Sequence, residues 1–515
     1  VFQNYEIDID KNVIINGCFD TNKHTLQKSA VSEDVCYEMS KLPTYEQFKS
    51  HKKAIMTVVR KMKIETIGCP RFEDCLMSHF KVDSQPGFTQ FMINKNKTKK
   101  SAFRTSSRAA RVIFNKLDDI ARTKRSKLTS EFIKNKPKSK GLYTIGARNK
   151  RDYSYENFEL GASRAVHMPE FHNEISTSAW IDMINDSIKA RSRGPIYIGN
   201  SITTFERFEK DMLNNSNFLE GDWRKYDSTY RVLGIIICAC ITRLFYPLYS
   251  KRADVHFYWI FYLHLVKDYY MPGGNVIRIL NGLPSGTKCT SIWNSVYNLF
   301  ALLTCCKEMN YKKLDFAVGG DDFVVFSKDK INEYEVDIVN KNSEKIGMEF
   351  KFIELKCCKY TEISTYPYFY KYSVRNGLPI ISPKILLERL FCPFNKNIKT
   401  QIDYLDFLNA QIPALGYPSS THLIFYSIYK NTYNRVYSGY EHFKPMTIGQ
   451  VFKLHLDSFR TYRYSYKRRT SLEKIIFKYD GINLRNKRLT KKDLRSIRNM
   501  LLNLSKTEIK RYKFK

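Results

Sequence analysis

Leu314-Asp315-Phe316-Ala317-Val318-Gly319-Gly320-Asp321-Asp322-Phe323-Val324-Val325-Phe326 sets two short β-rich runs around a Gly-Gly-Asp-Asp break. Such a break between apolar runs reads as a tight hairpin with two carboxylates at its tip. Side chains alternate faces along a strand, so adjacent aspartates at a turn need not point the same way. One can hold a metal while the other serves as a weaker ligand. In isolation a polar turn between two core strands would look the same. The meaning of the hairpin therefore depends on the partners found elsewhere in the chain.

The chain has 515 residues, too many for one simple core, and its apolar content of 43% is ample for a globular interior. Its charge is the outlier: 85 Lys and Arg against 51 Asp and Glu give +34. Such an excess concerns partners rather than fold, and phosphate neutralisation makes nucleic acid the leading partner. A dispersed basic surface or a membrane-surface protein is the alternative. Twelve cysteines include no Cys-x-x-Cys pair, and Cys305-Cys306 and Cys357-Cys358 are vicinal. That pattern suits neither structural zinc nor a disulfide framework; reduced, mostly buried thiols in an intracellular setting are expected. Ten histidines show no His-x-x-x-His pair, which argues against a zinc enzyme. The longest apolar run, Val232 to Ile241, is far shorter than a membrane span. Val1 to Lys11 is polar and acidic, unlike a signal peptide, and a first residue Val suggests a missing initiator or short leader.

Periodicity predicts a helix over Ser107 to Ile120, then a basic loop where Pro137 interrupts Lys134 to Lys140. A helix over Ile181 to Arg193 closes at Gly194-Pro195, and Tyr197 to Ile202 is expected to be extended. Asn217 to Asp222 reads as a strand feeding the apolar helix Val232 to Tyr246. A loop, Gly282 to Gly286, opens onto a long helix from Lys288 to Glu308. After the hairpin come a helix from Asn332 to Ile346, ended by Gly347, and an extended segment, Met348 to Leu355. Tyr366 to Tyr372 and Leu378 to Ser382 suggest a second hairpin around Arg375-Asn376-Gly377, and beyond Pro383 the pattern turns helical. This order of elements suggests an α+β sheet domain with helical appendages.

Ninety-nine residues before Asp321 stands Asp222-Trp223-Arg224-Lys225-Tyr226-Asp227. Asp222 at a strand end beside Asp321 at a hairpin tip offers two carboxylates from separate strands. Such a pair can clamp two Mg²⁺ ions roughly 3.5–4 Å apart, and Mg²⁺ takes few protein carboxylates plus substrate phosphates. Asp227 can accept a hydrogen bond from a sugar hydroxyl; it can equally cap the helix that follows. Between these segments lies Asn281-Gly282-Leu283-Pro284-Ser285-Gly286-Thr287-Lys288-Cys289-Thr290-Ser291-Ile292-Trp293-Asn294. Its Gly and Pro residues allow close backbone approach to a nucleic-acid strand. Thr290 and Asn294, four apart, would share a helix face. They could read a ribose there, or could be surface positions on a capped helix.

Asp-x4-Asp, then Pro-Ser-Gly-x3-Thr-x3-Asn, then Gly-Asp-Asp, in this order, resembles the palm of viral RNA-dependent RNA polymerases. Arg148, Lys150 and Arg151, followed by Ser163-Arg164-Ala165-Val166, resemble the family's basic fingers motif. Gly347-Met348-Glu349-Phe350 leading to Lys356 resembles the segment that supplies a lysine general acid, with Lys351 and Lys359 as rivals. Phe369-Tyr370-Lys371 resembles the primer-grip hairpin. Trp-x-Lys-Tyr and the Leu-Glu-Arg-Leu of Lys384 to Leu390 look most like partitiviruses and similar small double-stranded RNA viruses. Two departures stand out. Cys289 occupies a position that is often Gly in positive-strand relatives, and only Thr105-Ser106-Ser107-Arg108 stands where a Gly/Pro-rich template-entry motif is expected.

The resemblance implies an α+β right-hand polymerase with an antiparallel palm sheet flanked by helices and encircled by N-terminal and fingertip segments. The implied spans are 1–95 bridging fingers and thumb, 96–216 fingers, 217–250 palm, 251–280 fingers, 281–382 palm, and 383–515 thumb with a basic tail. Asp222 and Asp321 would hold the metals with Asp322 assisting. Asp227 and Asn294, with Thr290 and Ser285, would check the sugar, and Gly286 would also bind the nucleotide. Arg148, Lys150 and Arg164 would neutralise the triphosphate, and Lys356 would protonate pyrophosphate. Two Mg²⁺ ions, with Mn²⁺ able to substitute, RNA template, nascent strand and NTPs are the implied ligands. A viral capsid protein is a further partner, and a monomer without membrane contact is expected, in the virion interior and host-cell cytoplasm. A reverse transcriptase and a non-enzymatic RNA-packaging protein are the rival readings. The first usually carries a bulky residue where Asp227 stands, and the second gives the carboxylates no purpose.

Overall fold

The structure, a computed structural model, describes residues 50–454 except 140, 150–162, 190–193, 199–201, 271–275, 310–313, 358–365, 371, 376, 392–397, 413–414, 416–419, 441, 443 and 452. The described strands are β1 (Gly141–Asn149), β2 (Ser163–Pro169), β3 (Asn217–Trp223), β4 (Lys267–Tyr270), β5 (Val276–Ile279), β6 (Leu314–Gly319), β7 (Asp322–Ser327), β8 (Phe350–Cys357), β9 (Ser373–Arg375) and β10 (Leu378–Ile380).

The fold turns on the sheet β6-β7-β3-β8, antiparallel throughout. Its strands β6 and β7 read as near-continuous apolar runs because both their faces are covered. Leu314, Phe316, Val318, Phe323 and Val325 enter one core together with Trp293 and Leu299 of the helix Cys289–Cys305. Ala317, Val324 and Phe326 alternate with them and enter a second core, with Phe218 of β3 and Phe208 of the helix Ile202–Leu213. A strand buried on one face only would show apolar–polar alternation instead.

The expected central elements form: β3 leads to the helix Val232–Arg243, and the helix Glu333–Lys345 leads to β8. That second helix starts with a capping box, Asn332 Oδ1 accepting from Glu335 N at 2.8 Å and Glu335 Oε2 from Asn332 N at 2.9 Å. Gly347 follows it with φ of +72°, the left-handed C-terminal stop its position predicts. The expected hairpin around Asn376-Gly377 is β9–β10, its first strand beginning at Ser373, while Phe369 and Tyr372 close a separate tight turn.

Several expectations need correction. The helix expected from Ser107 starts at Lys99, with Thr98 as its cap, and the one expected from Ile181 starts at Phe171. Ile202 opens a helix rather than ending an extended segment. A second sheet, β2-β1-β4-β5, and the helix Lys251–Leu265 were not anticipated. The helix is apolar nearly all round and fully buried, so it shows no amphipathic period to detect. Cys75, Cys238, Cys240, Cys289, Cys305 and Cys306 are buried, while Cys69 is half-buried and Cys357 exposed, in keeping with mostly buried cysteines. Among the described residues no helix is long and apolar enough to cross a membrane.

Candidate active site

The Gly-Gly-Asp-Asp stretch is a two-residue hairpin: Gly319 pairs with Asp322, leaving Gly320 and Asp321 as the turn. Gly320 has φ of +66°, the value that a primed two-residue turn requires at its first position. On the other side of β7, Gly221 of β3 pairs with Phe323. The next position along each strand is therefore Asp222 and Asp322, side by side, with Asp321 one step away in the turn. Gly221 is needed there, because an added Cβ would lie 2.5 Å from the Phe323 ring and 2.9 Å from the Phe352 carbonyl.

The hairpin tip is held from beneath by the helix Cys289–Cys305. Asn298, fully buried, donates from Nδ2 to the carbonyls of Gly320, Asp321 and Asp322 at 3.0, 3.1 and 3.3 Å. Its Oδ1 accepts from the Trp223 indole at 2.9 Å, which ties the strand bearing Asp222 to the same amide. Ser295 Oγ accepts from Gly320 N at 2.8 Å. Neither Asn298 nor Ser295 was anticipated. Their signal lay in the sequence: Ser291, Asn294, Ser295 and Asn298 recur at helical spacing through an otherwise apolar stretch.

One turn earlier, Asn294 Nδ2 donates to Asp227 Oδ1 at 2.8 Å, bringing together the two residues expected at the sugar. Asp227 does not cap the following helix, whose N-cap is Arg231. Its carbonyl instead accepts from Leu283 N at 2.9 Å, joining it to the Ser-Gly loop. Thr290 does not turn toward Asp227: its hydroxyl donates to the Pro284 carbonyl at 2.8 Å and steadies that loop.

The loop packs on β2. An added Cβ at Gly286 would lie 1.9 Å from the His167 carbonyl oxygen. Ser285 N donates to His167 Nδ1 at 3.3 Å, and Ser285 Oγ accepts from His167 N at 3.4 Å. Three residues from His167 stands Arg164, opposite Arg148 in the β1–β2 ladder. The side chains of these two arginines, and all of Lys150, lie outside the described residues.

Beneath the loop sit buried titratable groups. Burial and the neighbouring Lys267 hold the His167 and His264 imidazoles down at about 4. Burial lowers Lys267 to about 7, its ammonium donating to the His264 and Leu280 carbonyls at 2.7 and 2.8 Å. His264 Nδ1 lies 2.8 Å from the Ile260 carbonyl and so carries the proton, leaving Nε2 to accept from Thr287 Oγ1 at 3.2 Å.

The three candidate lysines separate clearly. Lys356 bonds Glu354 at 3.0 Å and Glu220 at 3.2 Å, opposite Phe218 and four strand positions from the residue paired with Asp222. Burial would lower its pKa, but the two glutamates outweigh it and raise it. Lys351 occupies a bulge, because Asp222 pairs with Phe352 and Trp223 with Phe350, leaving Lys351 the extra residue. Its ammonium lies 3.4 Å from Asp222 Oδ2. Lys359 lies outside the described residues.

Residues 23–374, over half the chain, match the model of the viral RNA-dependent RNA polymerase family. The chain belongs to that family. No curated protein matches it. As an RNA-dependent RNA polymerase it is a nucleotidyltransferase acting on an RNA template with NTP substrates, which sets aside the packaging and reverse-transcriptase readings. The family generally uses divalent metal ions. Among the described residues no group of three His, Cys, Asp or Glu side chains forms a ready metal cage. What this polymerase offers is a pair of adjacent strand-end carboxylates and a third in the turn. That hard oxygen set fits a divalent ion whose other ligands come from substrate phosphates and water.

Replacing Asn298 with Asp keeps the acceptor for Trp223 but turns a carboxylate oxygen toward three carbonyls. NTP incorporation should fall ~100-fold or more, the scale of a 1 Å misplacement. Thermal unfolding should show a loss of ~1–3 kcal/mol for the unpaired buried carbonyls. A second test concerns pH. The neutral His264 imidazole stabilises the fold fully above about 6.5, and that contribution is lost as pH falls through 6.5 toward 4. Melting curves of wild type and His264→Gln should therefore diverge over that window, the wild type losing more stability on acidification.

Proposed function

We propose that this polymerase extends an RNA 3′-hydroxyl by two-metal-ion nucleotidyl transfer for a small double-stranded RNA virus of the partitivirus type. The observation that carries the chemistry is the register that sets Asp222 beside Asp322 with Asp321 in the adjoining turn. Asp222 and Asp321 are the principal metal ligands and Asp322 assists. Mg²⁺ is the natural ion, and Mn²⁺ can replace it. Bound divalent ions would activate the attacking hydroxyl and neutralise the departing pyrophosphate. The protein's own contribution is positioning and fixed charge, as phosphoryl transfer generally requires.

Asp227, held by the Asn294 amide at 2.8 Å, accepts the ribose hydroxyl and so favours ribonucleotides. Ser285 and Gly286 bring the loop backbone to the substrate, and Thr290 keeps it in shape. Arg148, Lys150 and Arg164 meet the triphosphate. The β1–β2 ladder sets Arg148 directly opposite Arg164, an arrangement that like charges disfavour unless an anion lies between them. The virus type rests on the Trp-x-Lys-Tyr and Leu-Glu-Arg-Leu fillings alone. The fingers, palm and thumb spans given above, a monomeric state, a capsid partner and residence in the virion and host cytoplasm go with that reading.

For the general acid the geometry favours Lys351 over Lys356. A leaving pyrophosphate departs near the carboxylates, and Lys351 already reaches Asp222, while Lys356 is engaged by two glutamates.

Run-off assays on a short single-stranded RNA template test both points. Asp321→Asn should abolish incorporation of all four NTPs, and wild type should prefer NTPs over dNTPs. Undiminished incorporation, or a strong dNTP preference, overturns the assignment. Lys351→Met should lower the maximal rate ~100–10,000-fold with little change in KM, the range of lost general-acid catalysis. Lys356→Met should leave the rate within ~3-fold; the reverse order returns the role to Lys356.

A further inference from the structure

We infer that Tyr370 is a positioning residue that braces the metal-binding hairpin through Gly319 and couples it to the turn Phe369–Tyr372. This deepens the two-metal reading and rests on it. Gly319 is absent from the glycines with positive φ, so its backbone does not require glycine. Space does. A Cβ there would lie 2.0 Å from the Tyr370 hydroxyl, 2.2 Å from Cζ and 2.8 Å from Cε1. The ring therefore rests on the backbone of the last residue of β6, immediately before the Gly320-Asp321 turn.

The other end of the brace is equally specific. The Tyr370 hydroxyl donates to the Tyr197 carbonyl at 2.8 Å. Tyr197 N donates to the Val318 carbonyl at 2.8 Å, and Val318 N to the Pro195 carbonyl at 2.8 Å. A closed circuit results, from Tyr370 through Tyr197 and Val318 to Gly319 and back to the Tyr370 ring. Tyr197 is itself fixed, its hydroxyl bonded to Asp211 and its ring 3.8 Å from the Arg207 guanidinium.

Tyr370 holds this place at a conformational cost. Its φ is +55°, one of four positive values at non-glycine residues among those described. That backbone region disfavours a bulky side chain and persists where surroundings over-determine it. Here they do. Phe369 and Tyr372 exchange backbone bonds at 2.7 and 3.0 Å across the turn, and Phe369 stacks on Phe208 with centroids 5.1 Å apart. A glycine or asparagine would suit the turn better but could not reach Gly319. Burial raises the Tyr370 phenol, and Asp322 and Asp321 raise it further, which places the ring within the field of both carboxylates.

The full-length protein can be tested as Tyr370→Ala, Tyr370→Phe, Gly319→Ala and the double Gly319→Ala/Tyr370→Ala. Mn²⁺ binding is followed by electron paramagnetic resonance, alongside NTP incorporation across Mg²⁺ concentrations and thermal unfolding. Gly319→Ala should lower incorporation ~100-fold, and removing the colliding ring in the double variant should recover ~10-fold or more. Tyr370→Ala alone should weaken Mn²⁺ binding ~5-fold or more and raise half-saturating Mg²⁺ while remaining folded at assay temperature. Tyr370→Phe, which keeps the ring and loses the donor to Tyr197, should fall between wild type and Tyr370→Ala. A double variant no better than Gly319→Ala, or Tyr370→Ala binding Mn²⁺ as wild type does, overturns the brace. If Gly319→Ala does not fold, the two Tyr370 variants decide the matter by their Mn²⁺ binding. Wild-type Mn²⁺ binding that survives Asp321→Asn would instead overturn the metal reading, leaving recovery in the double variant to judge the brace.

Discussion

The site depends on one buried amide. Asn298 spends its donors on three consecutive carbonyls of the hairpin tip and its acceptor on the Trp223 indole. The two strands that carry carboxylates are thus referred to a single fully buried side chain. There each hydrogen bond is stronger than in water, and each unmade one is costly. A turn with Gly at its first position is otherwise compliant. Clamping its backbone fixes where the carboxylates of the turn start from.

The sheet around this clamp is built to be stiff. Its middle strands are buried on both faces, between the core containing the helix Cys289–Cys305 and the core containing Phe208 and Phe369. Close packing on two sides leaves a carboxylate pair no soft direction in which to separate. The edge strand β8 behaves differently. Most of its residues are exposed or half-exposed, and a bulge at its start aims Lys351 at Asp222. An exposed ammonium thus stands beside carboxylates on the buried, closely packed part of the sheet.

How much of this was readable in the sequence follows from where each signal resides. Asp222, Asp227, Asn294 and the Gly-Asp-Asp turn stand in short contiguous motifs, and the structure joins Asp227 to Asn294 and sets Asp222 next to Asp322. The strands β3, β6, β7 and β8 and the helix Glu333–Lys345 were legible from turn and capping residues, which act locally. The helix Lys251–Leu265 escaped because full burial erases periodicity, and the sheet β2-β1-β4-β5 because it pairs strands over a hundred residues apart. Asn298 and Tyr370 escaped for another reason. Their roles consist of contacts to backbone in distant segments, which no local pattern encodes. Motif spacing left Lys351, Lys356 and Lys359 as rivals because it cannot foresee a bulge, and it is the bulge that brings Lys351 to Asp222.

The helix Cys289–Cys305 acts as a ruler for the whole arrangement. Thr290 holds the Ser-Gly loop at Pro284, Asn294 holds Asp227, and Ser295 and Asn298 hold the Gly-Asp-Asp hairpin. At 1.5 Å per residue these grips spread over about 12 Å of helix axis. The loop, the Asp227–Asn294 pair and the carboxylates are therefore spaced by the helix itself rather than by the connections between them, which run through two other helices and strands of two sheets. That explains why apolar residues fill the rest of this helix: it has to be immobile, and burial on nearly every side makes it so. It also explains why the polar residues recur every three to four positions, since each must emerge on the one face that the substrate-handling segments share. A single residue added between Thr290 and Asn298 would rotate one grip by about 100° away from the others and dismantle the site.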